Sequence, residues 1–210
     1  MTTVLILYAS SLGNTKRMAD AIAEGASGVA QTTVRLQTVD ATSIDDVWAC
    51  DALVLGSPVR QGAADARVRN FIESDCERLM LSGRLATKVG AVFTVGANPH
   101  GRHGDGAEMA QLGMLRTLAA GGMTIVSGPC EWRNATLRGP YWGPHARLRV
   151  REDGHEVLQK GSIEAGHLHG YRIAQATLSF KHQPMARPRR VGGWLRMSGL
   201  FNGVREHMRS

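Results

Sequence analysis

A hydroxyl-rich turn at residues 10–15, with the sequence Ser-Ser-Leu-Gly-Asn-Thr, follows an apolar run and comes directly before an amphipathic segment. Ser10, Ser11 and Thr15 can each turn a hydroxyl inward, and Gly13 lets the backbone approach a ligand closely. The first N–H groups of the following helix have no partner within the helix, and its dipole adds a partial positive charge. These features predict a phosphate site that needs no Lys or Arg. The alternative is an ordinary N-cap that binds nothing.

Two further turns follow apolar runs and are candidates for the same ligand. Because parallel strands bring their carboxyl ends to one edge of a sheet, the three turns should meet there. In the second turn Pro58 stiffens the chain and Gly62 relaxes it, while Arg60 either binds the ligand or pairs with Asp65 at the surface. The candidate ligand-binding residues of the three turns are Ser10, Ser11, Leu12, Gly13, Asn14 and Thr15; Ser57, Pro58, Val59, Arg60, Gln61 and Gly62; and Thr94, Val95, Gly96, Ala97 and Asn98.

A Gly-rich loop continues the third turn and carries His100 and His103. No Cys and no set of acidic residues accompanies this pair, so no metal site is predicted. The glycines at 96, 101, 104 and 106 do not form a dinucleotide fingerprint, because they lie in a long loop and lack the tight spacing at a strand-to-helix turn. We therefore expect no separate nicotinamide-binding domain.

Strand and helix patterns alternate along the chain and predict an α/β fold with a parallel sheet. Strands are predicted at residues 4–8, around Val34, Leu36 and Val39, and at residues 52–55, 89–95 and 123–126. The apolar faces of the predicted helices are Met18, Ala19, Ile22, Ala23 and Ala26; Val68, Phe71, Ile72 and Leu79; Met109, Leu112, Leu115 and Leu118; and Leu168, Tyr171, Ala174 and Leu178. Residues 97–106 and 128–162 are read as long connections.

Size and composition fit one soluble domain. The 210 residues can build one core, and no apolar run approaches the ~20 residues that a membrane span needs. A signal-peptide pattern is absent, so we expect a cytoplasmic protein. The three cysteines, Cys50, Cys76 and Cys130, form no C-x-x-C pair and are expected to be buried or idle thiols.

The net charge of +7 comes mostly from residues 181–210, where seven Lys or Arg residues and one acid carry +6. The remaining body is nearly neutral, which argues against nucleic acid as a partner. We divide the chain into a domain at residues 1–180 and a basic tail at 181–210. In the tail, Trp194, Leu195 and Phe201 fall near one helical face, so peripheral membrane contact is one option. Packing on another subunit is a second, and disorder is a third.

The chain resembles the flavodoxin-like family, in particular the NAD(P)H:quinone oxidoreductases of the WrbA type and the NADPH-dependent FMN reductases. The resemblance covers approximately residues 3–180. Its motifs are Ser-Ser-Leu-Gly-Asn-Thr at 10–15, Gly-Ser-Pro-Val-Arg-Gln-Gly at 56–62, the Gly-rich turn after Phe93, Gly-Met-Thr-Ile-Val at 122–126 and Arg-Gly-Pro-Tyr-Trp-Gly at 138–143. The resemblance implies a doubly wound, five-stranded parallel sheet in the order 2-1-3-4-5.

The resemblance also implies FMN, with its phosphate in residues 10–15 and its ring between the second and third turns. NADH or NADPH would bind transiently over the ring and donate a hydride, and a quinone or similar acceptor would follow in the same cleft, giving ping-pong kinetics. His100 is then the candidate catalytic residue, as a donor that steadies the acceptor oxygen while it gains negative charge. A homodimer or homotetramer is implied as well.

One departure from the family concerns the flavin's stacking partner. Many relatives carry an aromatic residue on the helix before the last strand, reaching toward a neighbouring subunit, where this chain has Met114 or Leu115. Trp132, Tyr141 or Trp142 are the candidates to replace it, although such aromatics equally anchor their own loop.

Two other functions stay open: a one-electron carrier of the flavodoxin type, and a redox-silent flavin-binding module. Carriers of that type usually have a strongly acidic body. The near-neutral body of this chain therefore favours the two-electron enzyme.

Overall fold

A computed structural model describes residues 1–81, 83–96, 106–129, 142–150 and 156–182. The strands are β1 (Thr2–Tyr8), β2 (Thr32–Thr38), β3 (Ala52–Arg60), β4 (Ala63–Ala64), β5 (Val89–Gly96), β6 (Thr124–Ile125), β7 (His145–Val150) and β8 (Glu156–Leu158). The helices are α1 (Asn14–Ser27), α2 (Ile44–Ala49), α3 (Ala66–Phe71), α4 (Glu77–Leu81), α5 (Ala107–Ala120) and α6 (Lys160–His182). A π-helical turn, Ile72–Cys76, joins α3 to α4.

The sheet has the order β2-β1-β3-β5-β7-β8, and its first five strands run parallel to one another. This confirms the predicted α/β fold. The first four positions of the predicted order 2-1-3-4-5 are occupied by β2, β1, β3 and β5. Two segments, β6 and β7, share the fifth position. The two-residue β6 pairs with Val89 and Gly90 of β5, and β7 pairs with Thr94 to Gly96 at its other end.

The prediction of five strands was therefore too low, and residues 128–162 are not simply a connection. The chain leaves the sheet after β6 and returns as β7, which β8 extends antiparallel. Buried Ala146, exposed Arg147 and half-buried Leu148 have the alternation of a strand with one covered face. The second predicted turn is also shorter than expected, because Ser57 to Arg60 belong to β3 and only Gln61 and Gly62 turn the chain into β4.

Apolar side chains of the central strands point alternately to two cores, one on each face of the sheet. In β1, Leu5 and Leu7 pack on one face with residues of α3 and α5, while Val4 and Ile6 pack on the other with α1 and α6. Strands covered on both faces need the continuous apolar runs from which they were predicted. In the described part of the chain, no helix combines the length and apolarity that crossing a bilayer would require.

The predicted face of α5 was partly wrong. Met109 and Leu112 are exposed, whereas Ala107, Ala110 and Gln111 face inward together with Met114, Leu115 and Leu118. Gln111 turns inward because its amide nitrogen donates to Thr94 Oγ1 and to the Gly143 carbonyl, both at 3.0 Å. Since Met114 and Leu115 belong to the core, neither reaches toward a neighbouring subunit.

Cys50 and Cys76 are buried thiols, as expected, and Cys130 lies outside the described residues. Burial raises the pKa of Cys50 to about 11 and that of Cys76 to about 12. Both therefore stay protonated and unreactive at neutral pH. The last helix, α6, runs to His182, two residues past the predicted domain boundary, and the rest of the basic tail also lies outside the described residues.

Two glycines let the backbones of α1 and α6 touch. A Cβ on Gly25 of α1 would lie 1.9 Å from the carbonyl oxygen of His167, and a Cβ on Gly170 of α6 would lie 1.9 Å from that of Ile22. Backbone atoms cannot move aside as the end of a flexible side chain can. Close packing at these two points therefore fixes α1 against α6.

Gly170→Ala should lower the free energy of unfolding by about 2–3 kcal/mol, because the added methyl group overpacks this contact. Gly113→Ala on α5 is the matched control. A Cβ there meets nothing within 4 Å, so the better helix propensity of Ala should leave stability unchanged or raise it by up to about 1 kcal/mol. Urea unfolding of both variants measures the difference, and equal effects would contradict the close approach.

His169 of α6 is fully buried, and burial, followed by the charge of Arg172, lowers its pKa to about 3. Between that value and the ordinary pKa of histidine, the unfolded chain binds a proton that the folded chain does not. Stability should therefore fall as the pH drops from about 6.5, by up to about 1.4 kcal/mol per pH unit from this residue. His169→Leu should flatten the profile, which urea unfolding at several pH values measures. An unchanged slope in His169→Leu would refute the assignment.

Candidate functional site

The loop at residues 10–15, which we name the phosphate loop, joins β1 to α1 at the carboxyl edge of the sheet. Gly13 is the N-cap of α1 in the left-handed conformation, with φ 80°, and it supplies no side-chain cap. Ser10 Oγ is buried and has no hydrogen-bond partner within the described residues. Buried polar atoms are rarely left without a partner. The orphaned hydroxyl and the uncapped amides together form a site that an anion would complete.

A pocket of about 300 Å³ opens from this loop and continues along the ends of β3 and β5. Its lining residues are Ser10, Ser11, Leu12, Asn14, Thr15, Pro58, Val59, Arg60, Val95, Gly96 and Leu148. The structure thus brings residues of all three predicted turns together. One lining residue, Leu148 of β7, was not anticipated. The alternation of apolar and charged residues in β7 could have predicted this strand, but residues 128–162 were interpreted as a connection.

Other candidate residues do not line the pocket. Ser57 and Thr94 face each other in the β3–β5 register and are both fully buried. Ser57 Oγ donates to the Pro58 carbonyl and accepts from the Asp65 N–H, each at 2.8 Å. Thr94 Oγ1 lies 3.0 Å from His145 Nδ1 and accepts from Gln111. Their hydroxyls therefore hold the sheet edge together rather than facing a ligand.

The remaining candidates have other places. Gly13 caps α1, and Gln61 and Gly62 form the β3–β4 turn with φ values of 52° and 77°. Positive φ at both positions is typical of tight hairpin turns. Ala97, Asn98 and His100 lie outside the described residues, as do Trp132 and Tyr141, and Trp142 is 40% exposed.

Two arginines reach the phosphate loop, although its hydroxyls and helix amides were predicted to bind a phosphate without Lys or Arg. Ser11 Oγ accepts from Arg67 Nη2 at 3.1 Å and from Arg60 Nη2 at 3.4 Å. Arg60 also lies 3.6 Å from Asp65 and so forms the predicted pair with that carboxylate, and it lines the pocket as well. Arg67 was missed because its sequence position, on the first turn of α3, does not show that the fold points it at Ser11.

Asp65 organises these charges. Its carboxylate accepts two parallel bonds from Arg67, Nε to Oδ1 at 2.9 Å and Nη2 to Oδ2 at 3.1 Å, and it also caps α3 through the Arg67 N–H. The bond from Arg67 is the largest of the influences that lower the pKa of Asp65, so the carboxylate stays charged at neutral pH. Two guanidinium groups and one carboxylate leave a net charge of +1 from these three side chains.

The donor set of this site fits a phosphomonoester. It offers hydroxyl groups, uncapped helix amides and positive charge, and the first turn of α1 carries no acidic residue. Within the described ranges, no group of three or more His, Cys, Asp or Glu side chains could hold a metal ion. The phosphate of FMN is a phosphomonoester, which is the kind of ligand that these groups would bind.

Comparison with known proteins agrees with this fold. Residues 5–124 match the family model of the flavodoxin domain. The chain is 31% identical over 183 residues to a protein of Archaeoglobus fulgidus named NAD(P)H dehydrogenase (quinone), covering 76% of this chain and 93% of that one. It is 33% identical over 125 residues to a protein of Aquifex aeolicus named flavodoxin, covering 60% of this chain and 64% of that one.

A solved structure with a similar fold is that of the flavodoxin, WrbA-like protein from Agrobacterium tumefaciens, with a TM-score of 0.65 and 24% identity. The match covers 86% of this chain and 99% of that one. The family match spans more than half of the sequence and includes the phosphate loop, α1, β3 and β5, which supply all of the pocket lining except Leu148. The chain therefore belongs to the flavodoxin family.

Proposed function

We propose that this protein is an FMN-dependent oxidoreductase that transfers a hydride from NAD(P)H to a quinone or a similar acceptor. The observation that carries the proposal is the buried, unpartnered hydroxyl of Ser10 at the uncapped start of α1. A phosphate oxygen placed there would accept bonds from that hydroxyl and from the first amides of the helix. The relative from Archaeoglobus fulgidus, which is named for this activity and aligns along nearly its whole length, supports the reaction.

The pocket lining suggests how the ligand would be held. The phosphate loop would hold the phosphate, and Pro58 to Arg60 and the end of β5, where the lining continues, would hold the ring. Val59, Val95 and Leu148 give that part of the pocket an apolar wall, which limits water around the reacting atoms. Bound FMN would supply the chemistry of accepting a hydride and passing two electrons to the acceptor.

Arg60 adds a positive charge to the pocket lining beside this apolar wall. That positive charge would offset the negative charge that a bound flavin gains on reduction. His100 remains the proposed donor to the acceptor oxygen, and Ala97 and Asn98 the proposed donors to the ring. A homodimer or homotetramer in the cytoplasm, with peripheral membrane contact through residues 181–210 as an option, likewise remains part of the proposal.

Ser10→Ala should raise the Kd for FMN about tenfold, because a hydrogen bond to a charged phosphate is lost. Stability should stay the same or rise slightly, because the variant also removes a buried polar atom without a partner. Fluorescence quenching of FMN and thermal unfolding measure the two effects.

Ser43→Ala is the matched control for this variant. Ser43 caps α2, where its hydroxyl accepts from the Asp46 N–H at 3.3 Å. Its loss should cost about 1 kcal/mol of stability and leave FMN binding unchanged. If Ser10→Ala binds FMN as tightly as the unaltered protein, Ser10 does not hold the phosphate.

The purified protein loaded with FMN should oxidise NADH or NADPH when benzoquinone is added, one hydroquinone forming for each nicotinamide oxidised. Initial rates at several acceptor concentrations should give the parallel double-reciprocal lines of a ping-pong reaction, because both substrates use one pocket. Nicotinamide absorbance measures the rate. A protein that binds FMN but leaves both nicotinamides untouched would favour the one-electron carrier, and one that binds no FMN would overturn the proposal.

A further inference from the structure

The hydroxyl of Ser11, at the outer side of the phosphate loop, receives two charged hydrogen bonds. A serine hydroxyl has two lone pairs and one proton. Arg67 and Arg60 donate to the oxygen at 3.1 and 3.4 Å and use both lone pairs. The proton of Ser11 is thereby left to donate to an acceptor, and its O–H bond is polarised by the two guanidinium groups. A phosphate oxygen in the loop is an acceptor of the right kind.

Arg67 is held firmly in this position. Its guanidinium makes a two-bond pair with Asp65, and Asp65 is itself fixed, because its N–H donates to the buried Ser57 hydroxyl at 2.8 Å. The Asp65 side chain is 10% exposed and that of Arg67 is 34% exposed. A continuous series of hydrogen bonds runs from Ser57 through Asp65 and Arg67 to Ser11. It ties the phosphate loop to β3, a strand that is distant from the loop in sequence.

The charges along this series of hydrogen bonds favour a ligand with negative charge. Asp65 offsets one of the two guanidinium groups, so the outer side of the loop keeps a surplus of one positive charge. Ser11 and its bonds to the two arginines are exposed, so this charge acts through solvent over about 8–10 Å, a range that includes a phosphate bound in the loop. An uncharged ligand of the same shape would gain nothing from it.

We infer that Arg67 is a positioning residue that, through Ser11, makes the pocket select a phosphomonoester dianion, and so FMN over riboflavin. The inference rests on the proposed function and deepens it, because it assigns the phosphate preference to a particular side chain. Arg67 orders the Ser11 hydroxyl toward the phosphate and adds long-range attraction. Ser11, Ser10 and the first amides of α1 would provide the direct contacts to the phosphate.

The test compares the binding of FMN and of riboflavin to flavin-free protein by fluorescence quenching. Arg67→Gln should raise the Kd for FMN about tenfold and that for riboflavin less than about twofold, since riboflavin lacks the phosphate. Arg69→Gln is the control. Arg69 is exposed on the same helix, so the variant loses the same charge and should leave both constants unchanged.

Two further readouts separate this role from a merely structural one. Added salt should weaken FMN binding less in Arg67→Gln than in the unaltered protein, because screening acts on the charge that the variant lacks. Raising the pH through the second ionisation of the phosphate, near about 6, should strengthen FMN binding less in the variant. Arg67→Lys keeps the charge but not the planar fork, so it should retain the salt dependence while losing part of the affinity.

The outcomes distinguish this inference from the function on which it rests. An unchanged ratio of FMN to riboflavin affinity in Arg67→Gln, or an equal loss in Arg69→Gln, would overturn the role of Arg67 and leave the flavin site standing. If the unaltered protein binds neither flavin, both the inference and the proposed function fail.

Discussion

The start of α1 lies at the carboxyl edge of the sheet with its first amides uncapped, and the pocket is arranged around that constraint. Ser43 caps α2 and Asp65 caps α3 with their side chains, whereas α5, like α1, begins at a left-handed glycine, Gly106, without a side-chain cap. Gly13 leaves α1 open, and the neighbouring Ser10 hydroxyl is buried without a partner. Leaving such groups unpaired costs stability unless a ligand satisfies them. The arrangement is therefore more easily explained as a binding site than as an ordinary helix cap.

A binding site of this kind needs α1 in a fixed position, and the packing of the helix supplies that. The buried side chains of α1 meet the sheet, while Gly25 and Gly170 let its backbone touch that of α6. Contacts between backbones leave little freedom for the helix to slide or rotate. At the other side of the loop, the hydrogen bonds from Ser57 through Asp65 and Arg67 join Ser11 to β3. The phosphate loop is thus braced from both faces of the sheet.

Local sequence patterns were enough for most of the fold and for the place of the site. Continuous apolar runs marked the central strands, helical spacing marked α1, and the hydroxyl-rich turn marked the pocket. Features that depend on contacts between residues distant in sequence could not be predicted from local patterns. β7 pairs with β5 although a long segment of sequence separates it from the preceding strand. The buried positions of Ser57 and Thr94 follow from the register between β3 and β5. The inward face of α5 depends on the bonds that Gln111 makes to Thr94 and Gly143, and the contact of Arg67 with Ser11 spans 56 positions of sequence.

The charges of the pocket connect the geometry to the choice between an enzyme and a carrier. Among the residues that line it in the described part of the chain, Arg60 is the charged one, and no acidic side chain is present. Asp65, the nearest acid in the network, is occupied by Arg67 and Arg60. A flavin gains negative charge when it takes up two electrons, and an acidic surrounding makes that state costly while a cationic one stabilises it. Because the charge at this site is positive and the body around it nearly neutral, the fully reduced cofactor would be stabilised here, which is the condition that hydride transfer requires.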